Sequence, residues 1–255
     1  MQQHEGRFAV EPDCELDSPM ATDDIDPSTV CVNFARPVDL GDEGIETLTL
    51  SNDEIRRAER FHFERDRMLF VTSRALVRRA LSQYVKVEPA AWRFDTDSYG
   101  RPYIVFPAEG RILRFSASHT DGLVMCAVAV DRDVGVDVEH LRECPLDIID
   151  SSFAPVEAQS IRERSGSEQS ERFLTYWTLK ESYVKARGLG LNLPLDKFAF
   201  HLSDDQPPRL EIDPVLDNRA SGWRFCSLRP TPAHWAALCV YSPDEPTVRM
   251  SCSWD

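Results

Sequence analysis

The chain has none of the features that mark a membrane-spanning, secreted or nucleic-acid-binding protein. Its longest uninterrupted apolar run, Leu123–Val130, is far short of the roughly 20 residues that a bilayer-crossing helix needs. No apolar stretch follows the N-terminal residues, so a signal peptide is not expected. The seven cysteines (Cys14, Cys31, Cys126, Cys144, Cys226, Cys239, Cys252) are odd in number and include no C-x-x-C pair. Neither a zinc site nor a disulfide framework is indicated, and a reducing cytoplasm is the expected compartment. Positive charge is also scarce: 29 Lys and Arg stand against 43 Asp and Glu, a net charge of −14. That balance excludes the basic footprint on which nonspecific nucleic-acid binding depends. No low-complexity segment breaks the chain, and 255 residues permit one large domain or two small lobes.

The acid is unevenly spread. Met1 to about Asp26 carries eight acids against one arginine, so residues 1–28 read as a disordered acidic tail. Between Arg56 and Arg79, in contrast, lie eight arginines and three acids. This is either a solvated helical face or an anion-binding surface, since guanidinium groups suit phosphate. Val30–Ala35 reads as a strand. Ser51-Asn-Asp-Glu54 has the form of a capping box and opens a short helix, followed by a longer one from about Glu64 to Tyr84. Trp92–Tyr103 is a strand running into a turn at Tyr99-Gly100, and Leu113–Thr120 leads into the apolar strand Leu123–Val130. On the residues alone, that strand and Val134–Glu139 could form a hairpin across Asp131-Arg-Asp133.

Beyond it, Pro155 suits the first turn of a helix near Ala154–Arg164, and Ser165–Ser170 reads as a polar loop. A long helix over 171–187 is stopped by Gly188 and Gly190, with Pro194 just after. Phe198–Leu202, Arg209–Ile212, Trp223–Leu228 and Ala236–Tyr241 alternate with Pro- and Asp-rich turns and read as strands. The class is α+β, a helix on a mostly antiparallel sheet. A faint internal echo links the stretch opening at His119 with that opening at His234.

Two stretches carry chemistry. At roughly 100° per residue, Phe173, Trp177 and Val184 share one helical face and Glu181 falls within about 40° of Trp177. A carboxylate pointing inward is costly unless a cation or hydrogen bonds meet it, and Lys185, at i+4, borders the same face. The pair is either a salt bridge at a core edge or part of a site. In Gly135-Val-Asp-Val-Glu139, period-two alternation sends Val136 and Val138 to one face and Asp137 and Glu139 to the other, the carboxylates about 6 to 7 Å apart. Such a pair is either solvated or holds a hard cation through oxygen ligands. With Glu181 added it suits one Mg²⁺ that keeps positions open for phosphate oxygens.

These two stretches together, G-V-D-V-E at Gly135–Glu139 and W-T-L-K-E-S-Y-V-K-A-R-G-L-G-L at Trp177–Leu191, resemble the paired signature of the Sfp-type 4′-phosphopantetheinyl transferases. The pattern is G-[IV]-D-[IV]-E, then W-x-x-K-E-[AS]-x-x-K-x-x-G-x-G-L, and every specified position is met. The resemblance spans about residues 50–245. It implies two similar lobes related by a pseudo-twofold, each a helix on a mostly antiparallel sheet, with the active site in the cleft between them. The lobes would be residues 29–132 on the nucleotide side and 133–255 carrying the metal and the catalytic helix, so that Asp131–Asp133 joins lobes and does not close a hairpin.

The resemblance also implies the chemistry. Coenzyme A is the co-substrate, its adenosine end held by first-lobe arginines, Arg57 and Arg101, with Arg101 in a G-R-P element. Ser118-His119-Thr120 resembles the family's S-H-S, whose histidine meets a phosphate. Mg²⁺ would sit on Asp137, Glu139 and Glu181, Lys180 and Lys185 would stabilise phosphoryl oxygens, and Glu181 would act as base, as ligand, or as both in turn. A serine of an apo acyl or peptidyl carrier protein would attack the β-phosphorus and release 3′,5′-ADP, with no nucleic acid or membrane involved and the enzyme a cytoplasmic monomer. Thr120 and Arg101 replace the commoner Ser and Lys. The alternatives are a Mg²⁺-dependent nucleotide phosphohydrolase and an inactive carrier-binding relative.

Overall fold

The computed structural model describes residues 10–12, 28–37, 49–203, 205–242 and 246–252. Most of the acidic tail therefore lies outside the described residues. In chain order the strands and helices are β1 (Val10–Pro12), β2 (Thr29–Ala35), α1 (Asn52–Ala58), α2 (Glu64–Ser82), β3 (Arg93–Thr96), β4 (Pro102–Phe106), β5 (Leu113–Thr120), β6 (Leu123–Val130) and β7 (Val134–His140). There follow α3 (Ile149–Ser152), α4 (Pro155–Arg162), α5 (Gly166–Arg187), β8 (Phe198–His201), β9 (Arg209–Ile212), β10 (Trp223–Thr231), β11 (His234–Tyr241) and β12 (Thr247–Cys252).

Two sheets organise the α+β fold. The first runs β1-β12-β2-β6-β5 and the second β10-β11-β7, while β3-β4 and β8-β9 form separate ribbons. Strand β6 pairs with β2 and β5, and β7 pairs with β11. The hairpin alternative for β6 and β7 is thus wrong: Asp131–Asp133 carries the chain from one sheet to the other. The closing strand β12 returns to the first sheet, parallel to β2, and so lies outside the half of the chain to which sequence order assigned it.

The long apolar run on β6 has a simple cause. Val124, Cys126 and Val128 pack on α2, whereas Leu123, Met125, Ala127 and Ala129 pack against Val134, Val136 and Val138 of β7 and Leu238 and Val240 of β11. A strand covered on both faces has no reason to alternate. Strand β11 behaves likewise, turning Trp235, Ala237 and Cys239 toward α5 and Ala236, Leu238 and Val240 toward the other sheet. The layers are therefore α2, first sheet, second sheet, α5. Each fully buried Val or Leu at these seams contributes about 1.5–3 kcal/mol.

Local signals behave as expected at two helix ends. Ser51 accepts from the Glu54 N–H at 3.4 Å and Glu54 Oε2 accepts from the Ser51 N–H at 3.0 Å, closing the capping box of α1. Helix α5 ends on Gly188, whose φ of 65° is left-handed and whose N–H donates to the carbonyls of Val184 and Lys185. Its start differs from expectation: the supposed loop at 165–170 is the first turn, with Ser165 extended at the N-cap and Glu168 meeting the positive helix end.

Side-chain hydroxyls join β5 to β7. Ser116 Oγ accepts from the Val136 N–H at 3.1 Å and Thr120 Oγ1 accepts from the His140 N–H at 3.2 Å. Between them Ser118 Oγ donates to Asp137 Oδ1 at 2.9 Å. The alternation Ser116, Ser118, Thr120 places one hydroxyl every second residue along the same side of β5.

Candidate active site

The site lies where β7 passes under α5. Because Val136 and Val138 are taken by the seam between sheets, Asp137 and Glu139 face the helix. Gly135 sets how closely the two elements approach: a Cβ there would lie 2.0 Å from Ser182 O and 2.5 Å from Ala186 N. Any other residue would push α5 off the strand. One turn of α5 thereby lies over the acid pair, presenting Glu181 and Lys185.

Asp137 is 5% exposed. Its Oδ1 accepts from Lys185 Nζ at 2.7 Å and from Ser118 Oγ at 2.9 Å, and Lys185 Nζ also reaches Ser118 Oγ at 3.0 Å. Its Oδ2 is buried without a partner. An unpaired buried carboxylate oxygen is costly and asks for a cation or a donor. Glu139 is half-buried; burial and the neighbouring Asp137 raise its pKa, opposed by Arg142, a Trp177 hydrogen bond and Lys185. Arg142 lies 3.5 Å from its Oε2. Glu181, also half-buried, has its pKa raised by burial first and then by Asp137 and Glu139, with Lys185 opposing. The three carboxylates thus feel one another.

Among the described residues no three His, Cys, Asp or Glu side chains converge as a preassembled metal cluster. Asp137, Glu139 and Glu181 nevertheless fit a hard divalent cation on chemical grounds. They are oxygen donors, one carries an unsatisfied buried oxygen, and the raised proton affinity of the other two is what a nearby cation relieves.

Cations border the acids. His119, at the end of β5, has its pKa lowered by burial first, then by Lys185 and Arg74. Arg74 itself is lowered by burial, then by Arg57 and Arg78 against the pull of Glu54. The guanidinium groups of Arg57 and Arg74 lie 5.1 and 5.5 Å from the centre of the Phe70 ring. Like charges held together in partly desolvated surroundings favour an anion, and phosphate suits guanidinium.

Not every expected residue belongs to this array. Lys180 is fully buried, ion-paired with Glu157 Oε2 at 2.7 Å and donating to the carbonyls of Leu195 and Phe198. All three of its N–H donors are used, so the expectation that it stabilises phosphoryl oxygens is corrected. Neighbours on a helix point about 100° apart, and Lys180 leaves α5 on a different side from Glu181. Ser118 is 8% exposed and its hydroxyl is engaged by Asp137 and Lys185, making it a support of Asp137. Arg101 Nη1 donates to Asp133 Oδ1 at 3.1 Å, its Nη2 is buried and unpartnered, and its side chain crosses Gly188, where a Cβ would lie 2.7 Å from Arg101 Cδ. Of the arginine-rich stretch, Arg78 is structural, held by Glu54 and the carbonyls of Pro89 and Trp92. Arg74 is the member that sequence reasoning passed over; only its place one helical turn from Phe70 distinguished it.

The chain was compared with known proteins. The 4′-phosphopantetheinyl transferase superfamily matches residues 133–239, and the N-terminal family of a 4′-phosphopantetheinyl transferase matches residues 45–131. The chain is 33% identical over 210 residues to the 4′-phosphopantetheinyl transferase HetI of Nostoc sp., covering 80% of this chain and 84% of that protein. It is 28% identical over 216 residues to a 4′-phosphopantetheinyl transferase of Bacillus subtilis, covering 84% and 92% respectively. It is 28% identical over 197 residues to the 4′-phosphopantetheinyl transferase Sfp of Bacillus subtilis strain 168, covering 77% and 84%.

Proposed function

Because the chain belongs to the 4′-phosphopantetheinyl transferase family, we propose that it moves the 4′-phosphopantetheine arm of coenzyme A onto a serine of an apo acyl or peptidyl carrier protein, with Mg²⁺ required and 3′,5′-ADP released. One observation carries the reading. Asp137, whose Oδ2 is buried and unpartnered, belongs to an acid set suited to a hard cation and is bonded through Oδ1 to Lys185 of the basic array.

Asp137 and Glu139, with Glu181 completing the set, would hold Mg²⁺, which when bound neutralises charge on the pyrophosphate. The basic residues, Arg57, Arg74, His119 and Lys185, bind and orient the phosphates. Lys185 spends its known contacts on Asp137 and Ser118 and has three donors in all, leaving one for a phosphoryl oxygen. In the transfer the carrier serine Oγ bonds to the β-phosphorus, the bond from that phosphorus to the bridging oxygen breaks, and 3′,5′-ADP departs with the electron pair. The serine proton passes to Glu181. Of the three acids it is the least engaged: Asp137 holds Lys185 and Ser118, and Glu139 holds Arg142 and Trp177.

A cytoplasmic monomer is part of this proposal. Among the described residues no helix is long and apolar enough to cross a membrane.

The test is the intact mass of an apo carrier protein incubated with the chain, coenzyme A and Mg²⁺. A gain of one phosphopantetheine arm, abolished by EDTA, is expected. Release of phosphopantetheine without a carrier would instead support the phosphohydrolase alternative, and coenzyme A binding without transfer to carriers of several classes would leave an inactive relative.

His119 adds a pH prediction. Burial, Lys185 and Arg74 lower its pKa, so it is mostly neutral at pH 7 in the free protein. A bound phosphate favours its cationic form and raises that pKa. Proton uptake on coenzyme A binding is therefore expected at neutral pH, with affinity rising as pH falls from 8 to 6. Calorimetry in buffers of different ionisation enthalpy measures it. Zero uptake, or uptake retained in His119→Ala, would place the phosphate elsewhere.

A further inference from the structure

We propose that Lys180 and Glu157 are a positioning pair that fixes the rotation of α5, and hence the place of Glu181, for the transfer reaction. The inference rests on the functional reading above and deepens it. Both side chains are 0% exposed. The ammonium of Lys180 meets three acceptors from three segments: Glu157 Oε2 at 2.7 Å, Leu195 O at 2.7 Å and Phe198 O at 2.6 Å. Glu157 is equally committed. Its Oε2 also accepts from the Ala154 N–H at 2.9 Å, which closes the start of α4, and its Oε1 accepts from the Phe200 N–H of β8 at 2.8 Å. One ion pair therefore ties the middle of α5 to α4, to the turn at 195–197 and to β8, with the Phe198 ring 4.2 Å from the ammonium.

Stability alone does not call for such a pair. Two buried charges cost several kcal/mol each to desolvate, and apolar residues of similar volume commonly serve as well or better. What an ion pair with every donor and acceptor assigned supplies is a single geometry. Here that geometry lies one residue from Glu181. On another side of the same turns, the backbone at Ser182 and Ala186 rests against Gly135. The helix is thus held by a close backbone contact on the β7 side and by Lys180 on the α4 side, so neither rotation nor lift is free. With side-chain tips about 5–6 Å from the helix axis, a rotation of about 10° moves the Glu181 carboxyl by about 1 Å. Displacements of that size at a reacting centre cost about 10²-fold in rate.

The pair touches no phosphate-binding residue, and Lys185, which rides on the same helix, is held in addition by its own bonds to Asp137 and Ser118, so the loss should act on turnover far more than on coenzyme A affinity. The test uses the full chain with Glu157→Gln, and with Lys180→Met/Glu157→Gln, in which the glutamine still offers a carbonyl to α4 or β8. Thermal melts by circular dichroism fix a temperature at which each variant is folded. There the double variant is expected to lose about 10²-fold in kcat with its coenzyme A dissociation constant within about twofold of wild type, and Glu157→Gln to lose a smaller part. A folded double variant with wild-type kcat would overturn the proposal. So would a loss matched by weaker coenzyme A binding. Should the double variant not fold, the single variant decides by the same two readings. A wild-type chain that transfers nothing to any carrier overturns the functional reading and this pair's role together, whereas normal turnover in the variants overturns this role alone.

Discussion

Glu181→Gln is expected to abolish carrier modification while leaving the fold at least as stable as before. Glu181 is placed by α5 over Asp137 and Glu139, and its pKa is raised by burial and by those two acids. The glutamine keeps the shape and removes both the proton acceptor and one anionic ligand. Loss of a positioned base costs about 10²–10⁴-fold, and loss of a charged ligand adds to it, so a fall of at least about 10³-fold in kcat is expected at saturating coenzyme A and carrier. Rates come from intact-mass time courses, and a variant retaining a tenth of wild-type turnover would remove Glu181 from the chemistry. The stability side has a definite sign. Because the folded-state pKa lies above the unfolded value, the ionised form is disfavoured by folding. In metal-free buffer the wild-type chain should therefore give up more stability, as pH rises from the ordinary carboxylate range through the raised pKa, than the glutamine variant, in which Glu139 still carries a raised pKa but Glu181 no longer contributes. The difference in melting temperature should grow across that window and shrink when Mg²⁺ is added to the wild type.

The same residue marks how much was legible in the sequence. Period two on Gly135–Glu139 put Asp137 and Glu139 on one face, and helical period put Glu181 and Lys185 across from them. Both are local geometry, and the ion pair between Lys185 and Asp137 closes the two readings on each other. Lys180 was misread because periodicity says where a side chain points and not what waits there; its partner Glu157 comes from another helix. The S-x-S-x-T alternation of β5 is visible in the sequence, yet its use depends on β7 running alongside, a neighbour that the hairpin reading would have placed differently. Strand β12 was beyond reach for a related reason. Its parallel pairing with β2 joins opposite ends of the chain, and no local pattern encodes so distant a partner. Composition showed that Arg56–Arg79 held a cationic surface, but choosing Arg74 required Phe70 and His119 in three dimensions.

Gly135→Ala should be the most damaging glycine-to-alanine change among the described residues. A Cβ at this position would stand 2.0 Å from Ser182 O, 2.5 Å from Ala186 N and 3.0 Å from Ala186 Cα. All three are backbone atoms of α5, so no side chain can swing away, and the helix itself must rise from β7. That movement opens the seam filled by Ala186, Val184 and Ala237 and lengthens the contact of Lys185 Nζ with Asp137 Oδ1, now 2.7 Å. Overpacking of a core costs about 1–3 kcal/mol and sometimes more. The upper end or beyond is expected here, since Lys180 resists the same displacement from the other side. Gly188→Ala is the informative contrast. Its φ of 65° strains an alanine by about 1–2 kcal/mol, but the nearest atom is Arg101 Cδ, the stem of a flexible side chain that can move. Chemical denaturation should rank Gly135→Ala well below Gly188→Ala in stability. Under conditions where both are folded, transfer should be lost in the first and largely kept in the second. Equal stability of the two variants would mean that α5 is not seated on β7 by the missing side chain, and the placement of Glu181 over Asp137 would need another cause.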